Sequence, residues 1–215
     1  MKNYVITILD NNKSCIAANR CISSANKFDM IVEKYPAYTP ADNPNLIMQK
    51  ESILTQGFEN NKFSRIEPMK AAFLSHYSLW KKSIELNQEI TIFEHDAIVL
   101  DPIPNVLIYE GCINLGKPSY GRWNDPFKLG VNPLTSKRYF PGAHAYRVNP
   151  RGAKILVDHA KRWAMPTDVF LNVEFFPWLE EYYPWPVVCD DSFTTIQNLE
   201  GCKAKHNYKD GYEII

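Results

Sequence analysis

Apolar runs separated by polar breaks divide the first part of the chain into strands and a helix. Tyr4–Leu9 is a near-continuous run of apolar and β-branched residues, which predicts a strand buried on both faces. A polar break follows, and Ser14 is a candidate N-cap for a helix that runs to about Phe28. A second strand is predicted over Met30–Glu33, and the prolines within Pro36–Asn45 predict a loop that contains no helix.

The longest periodic segment predicts a helix over 65–87. Its apolar residues recur at spacings of three or four positions and form one continuous stripe. They are Ile66, Met69, Phe73, Tyr77, Trp80 and Ile84. The next segment, Glu89–Leu100, opens with apolar residues that predict a central strand, and it carries acidic residues where that strand should end.

A long connection interrupts the predicted strands of the second half. Strands are predicted over Cys112–Gly116 and Gly142–Val148, and the intervening segment 117–141 is rich in Pro, Gly and Asn. Connections of this length without regular structure are typical of binding loops or mobile lids. We therefore expect 117–141 to be a long loop at the active site.

The remaining segments complete an alternating α/β pattern. A helix is predicted over 149–163, because an Asn-Pro pair at its start supplies an N-cap and a proline at the first helical position. A short helix is expected after Pro166, a late strand over Pro186–Val188 and a polar tail over 203–215. Since there is no internal repeat and no linker, one α/β domain over 1–215 is predicted.

The composition is that of an ordinary globular protein. Hydrophobic residues make up 45% and charged residues 22%, which excludes a chain that is mainly disordered. Lys and Arg number 24, as do Asp and Glu, so the net charge is zero and bulk electrostatic binding to nucleic acid is disfavoured. No apolar segment approaches the roughly 18 residues of a membrane span. With five cysteines and no CxxC pair, the sequence predicts a cytoplasmic protein with reduced thiols.

The triplet Glu94-His95-Asp96 is the most informative chemical feature. In a continuing strand, Glu94 and Asp96 would point to one face and His95 to the other. Open α/β sheets bind ligands beyond the carboxyl ends of their strands, which is where these residues fall. Two carboxylates there suit Mg²⁺ or Mn²⁺, which would also bridge phosphates. An ordinary solvated strand end is the alternative interpretation.

Five blocks, in order along the chain, carry a likeness to a known family: Ser75–Lys82, Ile92–Ala97, Gly142–Tyr146, Gly152–Lys154 and Pro166–Asp168. Together with the opening strand and Tyr183–Val187, they resemble glycosyltransferase family 25, which includes lipopolysaccharide and collagen galactosyl- and glucosyltransferases. The resemblance implies a GT-A-like, Rossmann-like domain with a mixed, mostly parallel central sheet flanked by helices. It also implies a nucleotide-sugar donor, preferably a UDP-sugar, a divalent cation (Mn²⁺ or Mg²⁺), and inverting transfer of a hexose or pentose to a hydroxyl acceptor.

The resemblance assigns roles to the acidic triplet, although the sequence departs from the family there. The family's triplet normally reads Glu-Asp-Asp, so Asp96 matches the metal ligand and Glu94 a donor-side acid, while His95 replaces the middle acid. A second departure is Met69–Ala72, which replaces a Gly-Cys pair. The remaining candidates for donor binding are Thr7, Lys13, Arg20 and His76.

An inverting transfer needs a general base that deprotonates the acceptor hydroxyl. The resemblance favours Asp168, although an aspartate at a helix start is also an ordinary N-cap. Asp190 and Asp191, at the end of the last predicted strand, are the competing acids. Candidate residues for the acceptor or the sugar are Tyr120 and Trp123 in the long loop and His144 in the strand that follows it.

Three alternatives stay open. The acceptor is expected to be a bacterial surface oligosaccharide, but a hydroxymethylated pyrimidine of phage DNA is the alternative if basic residues form a local strip. Those residues are Arg122, Lys128, Lys137, Arg138, Lys203, Lys205 and Lys209. Outside the transferases, His76, His95, Asp96 and His144 are the candidates for a metal-dependent hydrolase, and a non-catalytic carbohydrate-binding protein is the third alternative.

Overall fold

Helices and strands alternate along the residues that the computed structural model describes, which are 1–59, 64–190, 192–198 and 213–215. The helices are α1 (Asn12–Asn26), α2 (Pro44–Lys50), α3 (Ile66–Leu86), α4 (Pro150–Ala160) and α5 (Thr167–Phe170), with short 3₁₀ turns at Pro40–Asp42 and Gln56–Phe58. The strands are β1 (Lys2–Thr7), β2 (Glu33–Pro36), β3 (Ile90–Glu94), β4 (Ala97–Val99), β5 (Cys112–Asn114), β6 (Gly130–Pro133), β7 (Ala145–Val148), β8 (Glu180–Tyr183), β9 (Val187–Cys189), β10 (Phe193–Thr194) and β11 (Glu213–Ile214).

Seven of these strands form one open sheet with the order β2-β1-β3-β7-β5-β8-β6. Strands β1, β2 and β3 are mutually parallel, while β7 is antiparallel to both β3 and β5. Strand β8 runs parallel to β5, and β6 is antiparallel to β8 at the edge. The predicted α/β class with a mixed, mostly parallel sheet is confirmed.

Helices cover both faces of this sheet, because side chains alternate along its strands. In β1, Tyr4 and Ile6 belong to one hydrophobic core, which also contains the buried residues of α3 and α4. Val5 belongs to the other core, beneath α1. The strand is therefore buried on both faces, as its sequence predicts. None of the helices in the described ranges is long and apolar enough to cross a bilayer.

Helix α3 confirms the longest periodic pattern. Met69, Phe73 and Trp80 at the middle of its apolar stripe are buried against the sheet and α4. The stripe's two end residues, Ile66 and Ile84, remain exposed. The helix ends where Asn87 adopts the left-handed conformation, which closes the last turn.

Three local predictions in the first fifty residues are wrong. The N-cap of α1 is Asn11, which accepts a hydrogen bond from the amide of Ser14, so Ser14 lies inside the helix. The second strand is Glu33–Pro36, because the chain first turns through Asp29, which has a positive φ of 57°. The proline-rich loop contains α2, which begins at Pro44; proline is tolerated at that position because its missing N–H has no helical partner.

Tertiary pairing also changes the predictions for the second half. The long connection 117–141 contains β6, which forms the sheet edge, and the sequence pattern gave no sign of β8, its partner. Strand β9 pairs with β4 in a separate two-stranded sheet. In the predicted tail, 203–212 lies outside the described residues, whereas β11 pairs in parallel with β10.

Candidate functional site

A cavity of about 450 Å³ lies at the carboxyl ends of β1, β2 and β3. One wall is the N-terminal half of α3, and another is the turn that follows β3. The segment around β10 and β11 supplies the outer wall, with Phe193, Thr194–Ile196 and Ile215. This is the edge at which open α/β sheets bind ligands, and the volume is that of a small-molecule site.

The acidic triplet lies in the cavity, but not as a continuing strand. Strand β3 ends at Glu94, and His95 and Asp96 form the turn into β4. All three residues line the cavity, so the prediction that His95 points away from its neighbours is wrong. The alternation rule fails because it applies only while the backbone stays extended.

The ring of His95 is held by α1 and by β10. Its Nδ1 lies 3.0 Å from Ser14 Oγ, and its ring stacks on that of Phe193 with 5.2 Å between centroids. Ser14 Oγ also accepts a hydrogen bond from the amide of Ile8, which holds the hydroxyl in place beside the ring. Burial, together with the charge of Arg20, lowers the pKa of His95 to about 4. His95 is therefore neutral at pH 7.

A series of hydrogen-bonded buried side chains ends at the carboxylate of Glu94 and holds it in place. Trp80 Nε1 donates to Tyr146 Oη at 2.8 Å, and Tyr146 Oη lies 2.9 Å from His76 Nδ1. His76 Nε2 lies 3.0 Å from Glu94 Oε1. Because the indole can only donate and an ionised carboxylate can only accept, one arrangement satisfies every group: Tyr146 donates to Nδ1, and His76 donates from Nε2 to Glu94.

His76 acts in this series as a neutral residue. It is 1% exposed, and burial lowers its pKa to about 3, opposed only in part by the charge of Asp168. A neutral imidazole carries one N–H, which the carboxylate of Glu94 accepts. The series thus fixes the orientation of Glu94 at the cavity wall while leaving its negative charge uncompensated by His76.

A second polar cluster is centred on Asp168. Tyr120 Oη donates to Asp168 Oδ2 at 2.5 Å, and the amide of Val169 donates to Oδ1 at 2.9 Å. Lys137 Nζ lies 4.7 Å from the centroid of the Tyr120 ring and 5.2 Å from that of Tyr139. Burial raises the pKa of Asp168 above its usual value, although the hydrogen bond from Tyr120 opposes the shift.

Asp168 lies close enough to the first cluster for its charge to act on His76. The cause is the packing of α5, whose first turn carries Asp168, against α3, which carries His76. Asp168 itself does not line the cavity of the acidic turn. The two clusters are therefore neighbours, one at the cavity and one beside it.

Three predicted donor-binding residues lie away from the cavity lining. Thr7 is buried, and its hydroxyl donates to the carbonyl of Val5 at 3.0 Å. Lys13 forms an ion pair with Glu213, and Arg20 forms one with Asp190. Of the two competing acids, Asp190 is thus engaged with Arg20, and Asp191 lies outside the described residues. Their predicted roles stay predictions.

The remaining acceptor candidates differ in their surroundings. His144 is buried, and a Cβ added at Gly116 would lie 2.5 Å from its Nε2, so the ring packs directly on that glycine. Burial lowers the pKa of His144 to about 4. Trp123 is exposed on the long loop. The side chain of Tyr120 donates to another candidate site residue, Asp168, and the backbone carbonyl of His144 accepts from the amide of Glu94 at 2.9 Å.

Sequence reasoning missed several residues of the cavity wall. Asp10 follows β1, Tyr38 follows β2, and Arg65 precedes α3. The guanidinium of Arg65 donates to the carbonyls of Thr195 and Ile215, which ties the outer wall to α3. Asp10 was predictable, since it stands three residues after the parallel strand β1. The contribution of the last residues had no signal in the sequence.

The site does not contain a preformed metal cage within the described ranges: no group of three or more His, Cys, Asp and Glu side chains there is arranged to hold an ion. The carboxylates that line the cavity are Asp10, Glu94 and Asp96. Glu94 is committed to His76 and His95 to Ser14. Without such a cage, the residues fit a cation that takes one or two carboxylates from the cavity wall and its other ligands from substrate phosphates and water, as Mg²⁺ commonly does.

The hydrolase alternative needs its histidines around one ion. In the described part of the chain, His144 packs on Gly116 away from the cavity, and His76 donates to Glu94. His76, His95, Asp96 and His144 therefore do not form the constellation that a metal-dependent hydrolase would need.

The fold and the site define an α/β protein with a cavity at the carboxyl edge of an open sheet, beside an acidic turn. Residues 1–114, more than half of the 215, match glycosyltransferase family 25, described as LPS biosynthesis protein. The chain belongs to this family and is a glycosyltransferase, as the sequence blocks predict. No curated protein matches the chain. The matched range contains His76 and the acidic turn and ends before Tyr120 and Asp168.

Proposed function

We propose that this glycosyltransferase moves a hexose or pentose from a nucleotide-sugar, preferably a UDP-sugar, to a hydroxyl of a bacterial surface oligosaccharide. The observation that carries the proposal is the cavity beyond β1–β3, lined by the acidic turn Glu94–Asp96 within the region matched to the family. A GT-A-type donor site at this edge accounts for both features, since a nucleotide fits the carboxyl ends of parallel strands.

The charge of the cavity favours a donor that arrives with a divalent cation. Three carboxylates line the cavity, and Arg65, the cation of the described lining, already donates to two backbone carbonyls. A bare diphosphate would be repelled by this surface. We propose Asp96 as the protein ligand of Mn²⁺ or Mg²⁺. When bound, the ion would neutralise negative charge on the departing nucleoside diphosphate.

Asp168 is our proposal for the general base. It removes the proton of the acceptor hydroxyl, whose oxygen then bonds to the anomeric carbon. The bond from that carbon to the phosphate oxygen breaks, and the nucleoside diphosphate leaves with the electron pair, which inverts the anomeric centre. Support comes from the raised pKa of Asp168, because a carboxylate with a higher pKa is a stronger base.

The observations favour a saccharide acceptor over DNA. Of its predicted basic strip, Lys137 donates to the carbonyl of Tyr120, and Arg138 pairs with Glu174. The three tail lysines lie outside the described residues. The description of the matched family favours a saccharide acceptor.

Thermal-shift measurements with UDP-, GDP-, ADP- and CMP-sugars, each with and without Mn²⁺, test the proposal. A donor at one hundred times its Kd stabilises the folded state by about 2.7 kcal/mol, or several degrees in Tm. We expect one nucleotide class to produce this shift only with Mn²⁺, and Asp96→Asn to remove it. Asp158→Asn, on the exposed face of α4, is the matched control and should keep the shift. A flat screen with every donor would overturn the proposal.

A further inference from the structure

The connection 117–141 concentrates positive charge in a chain whose net charge is zero. It contains five basic residues and one acidic residue, Asp125. The basic residues are Lys117, Arg122, Lys128, Lys137 and Arg138. The rest of the protein is correspondingly negative, so this connection is the part of the surface to which an anionic partner would be drawn.

The same connection exposes large apolar side chains. Phe127 is 96% exposed and Leu129 is 76% exposed, with Trp123 on the same stretch at 37%. Arg122 and Lys128 are exposed beside them. Large apolar side chains exposed close together along one short segment are typical of an interaction site, because water contact with such groups is unfavourable.

The base of the connection is braced, so these side chains project from a defined support. Strand β6 pairs with β8 directly after Leu129. The amide group of Asn132 donates to the carbonyls of Lys128 and Gly130, and the amides of Thr135 and Ser136 donate to Glu181. Residues 122–129, which we call the docking tip, are joined to this braced segment through the carbonyl of Lys128 and through the amide of Asn124, which donates to the carbonyl of Ser136 at 3.2 Å.

We propose that the docking tip binds the surface of an anionic lipid bilayer. Phe127 and Leu129 enter the boundary between headgroups and acyl chains, while Arg122 and Lys128 contact lipid phosphates. Interfacial membrane binding requires this combination, since either an apolar contact or a basic patch alone binds only marginally. The tip contains Asp125 as its one acid, which leaves it cationic.

A bilayer fits these observations better than a nucleic acid does. Phosphate backbones attract the basic residues but offer nothing to a phenylalanine as exposed as Phe127. The protein also contains an internal contrast: Val106 and Ile108 are 83% and 89% exposed, but segment 100–111 carries two acids and no basic residue. Segment 100–111 therefore exposes apolar side chains but lacks the basic residues that an anionic bilayer would attract.

The position of the tip connects it to the chemistry. Tyr120, two residues before Arg122, donates to Asp168, our proposed base. Binding of the tip to a bilayer would hold this site at the lipid surface, where a lipid-linked saccharide presents its hydroxyls. This consequence rests on the proposed function, whereas the bilayer binding itself does not.

Vesicle flotation tests the inference with phosphatidylcholine vesicles, with and without phosphatidylglycerol. We expect the protein to float with the anionic vesicles and remain behind with the neutral ones. Arg122→Gln and Lys128→Gln should each lower the partition coefficient about fivefold. The double variant Phe127→Ser/Leu129→Ser should lose binding, while Val106→Ser/Ile108→Ser, the matched control, should bind as the unaltered protein does.

Trp123 fluorescence measures insertion of the docking tip. We expect its emission to shift to shorter wavelength with anionic vesicles, and Trp123→Phe should lack that shift. Equal binding by the Phe127→Ser/Leu129→Ser variant and the unaltered protein would overturn the inference. The inference would also be overturned if duplex DNA displaced the protein from vesicles and Phe127→Ser had no effect on vesicle binding. The thermal shift with donor sugar is measured on the same variants. If the protein binds vesicles but no sugar donor shifts its Tm, the docking tip is supported and only the proposed function is contradicted.

Discussion

At the scale of single residues, hydrogen bonds from neighbouring side chains hold the acids of the site in position. Glu94 is fixed by a neutral His76, which is in turn oriented by Tyr146 and Trp80. Asp168 is fixed by Tyr120. In both cases a buried hydrogen bond sets the position of a carboxylate and biases its protonation. The chemistry of each acid therefore depends on a neighbour that is far away in sequence.

Tyr120 is a positioning residue for Asp168, and Tyr120→Phe tests this role. The hydrogen bond from Tyr120 favours the ionised form, so its loss raises the pKa of Asp168. Because the base acts when ionised, we expect the acidic limb of the pH–kcat profile to move to higher pH. Activity should fall at neutral pH and recover in more alkaline buffer.

The matched control for this variant is Tyr109→Phe. Tyr109 Oη donates to Glu89 at 2.9 Å, so it forms the same kind of tyrosine–carboxylate pair away from the cavity. Its pH–kcat profile should keep the shape of the unaltered enzyme. An unchanged profile for Tyr120→Phe would show that Tyr120 does not tune the base.

At the scale of elements, helix ends decide where the functional residues lie. Asn11 caps α1 and lines the cavity, and α3 begins beside Arg65 at the cavity wall. Helix α4 begins at Pro150 with Asn149 as its N-cap, as its sequence predicts. Caps of this kind are local, which is why the sequence placed the start of α4 correctly, although the helix ends at Ala160 and not at 163. Ser14 shows the limit: several polar residues preceded α1, and only the folded backbone selected one of them.

Asn149→Ala tests the energetic importance of a cap. Asn149 Oδ1 accepts from the amide of Gly152 at 2.9 Å, and removal of that acceptor leaves a helical N–H without its partner. We expect the free energy of unfolding to fall by about 1 kcal/mol, measured by urea denaturation. Asn149→Ser, which keeps a capping oxygen, should lose less. Equal losses for the two variants would contradict the capping explanation.

At the scale of the whole molecule, three buried histidines couple stability to pH. Burial lowers the pKa of His76 to about 3 and those of His95 and His144 to about 4. In the unfolded chain a histidine has a pKa of about 6.5. Between these values the unfolded state binds more protons than the folded state, so acid favours unfolding.

We therefore expect stability to fall as pH decreases from about 6.5 to about 4. His76 and His144, both fully buried, should each cost roughly 2 kcal/mol between pH 7 and pH 5. Asp168 and Glu180 act in the opposite direction because burial raises their pKa values, whereas His159, whose pKa burial also lowers, acts in the same direction as the three histidines. Urea denaturation at a series of pH values measures the slope. His144→Asn should reduce proton uptake on unfolding by about one; a flat stability profile would contradict the expectation.

The sequence by itself determined the class of fold, the helix α3, the family and the position of the acidic triplet. These follow from local patterns, because periodicity, caps and short blocks of residues are written in neighbouring positions. Tertiary structure alone decided that β6 and β8 pair at the sheet edge and that Arg65 holds the outer cavity wall. It also turned His95 into the cavity and set Asp168 beside Tyr120. Contacts between distant segments depend on how the whole chain packs, and no local pattern records them.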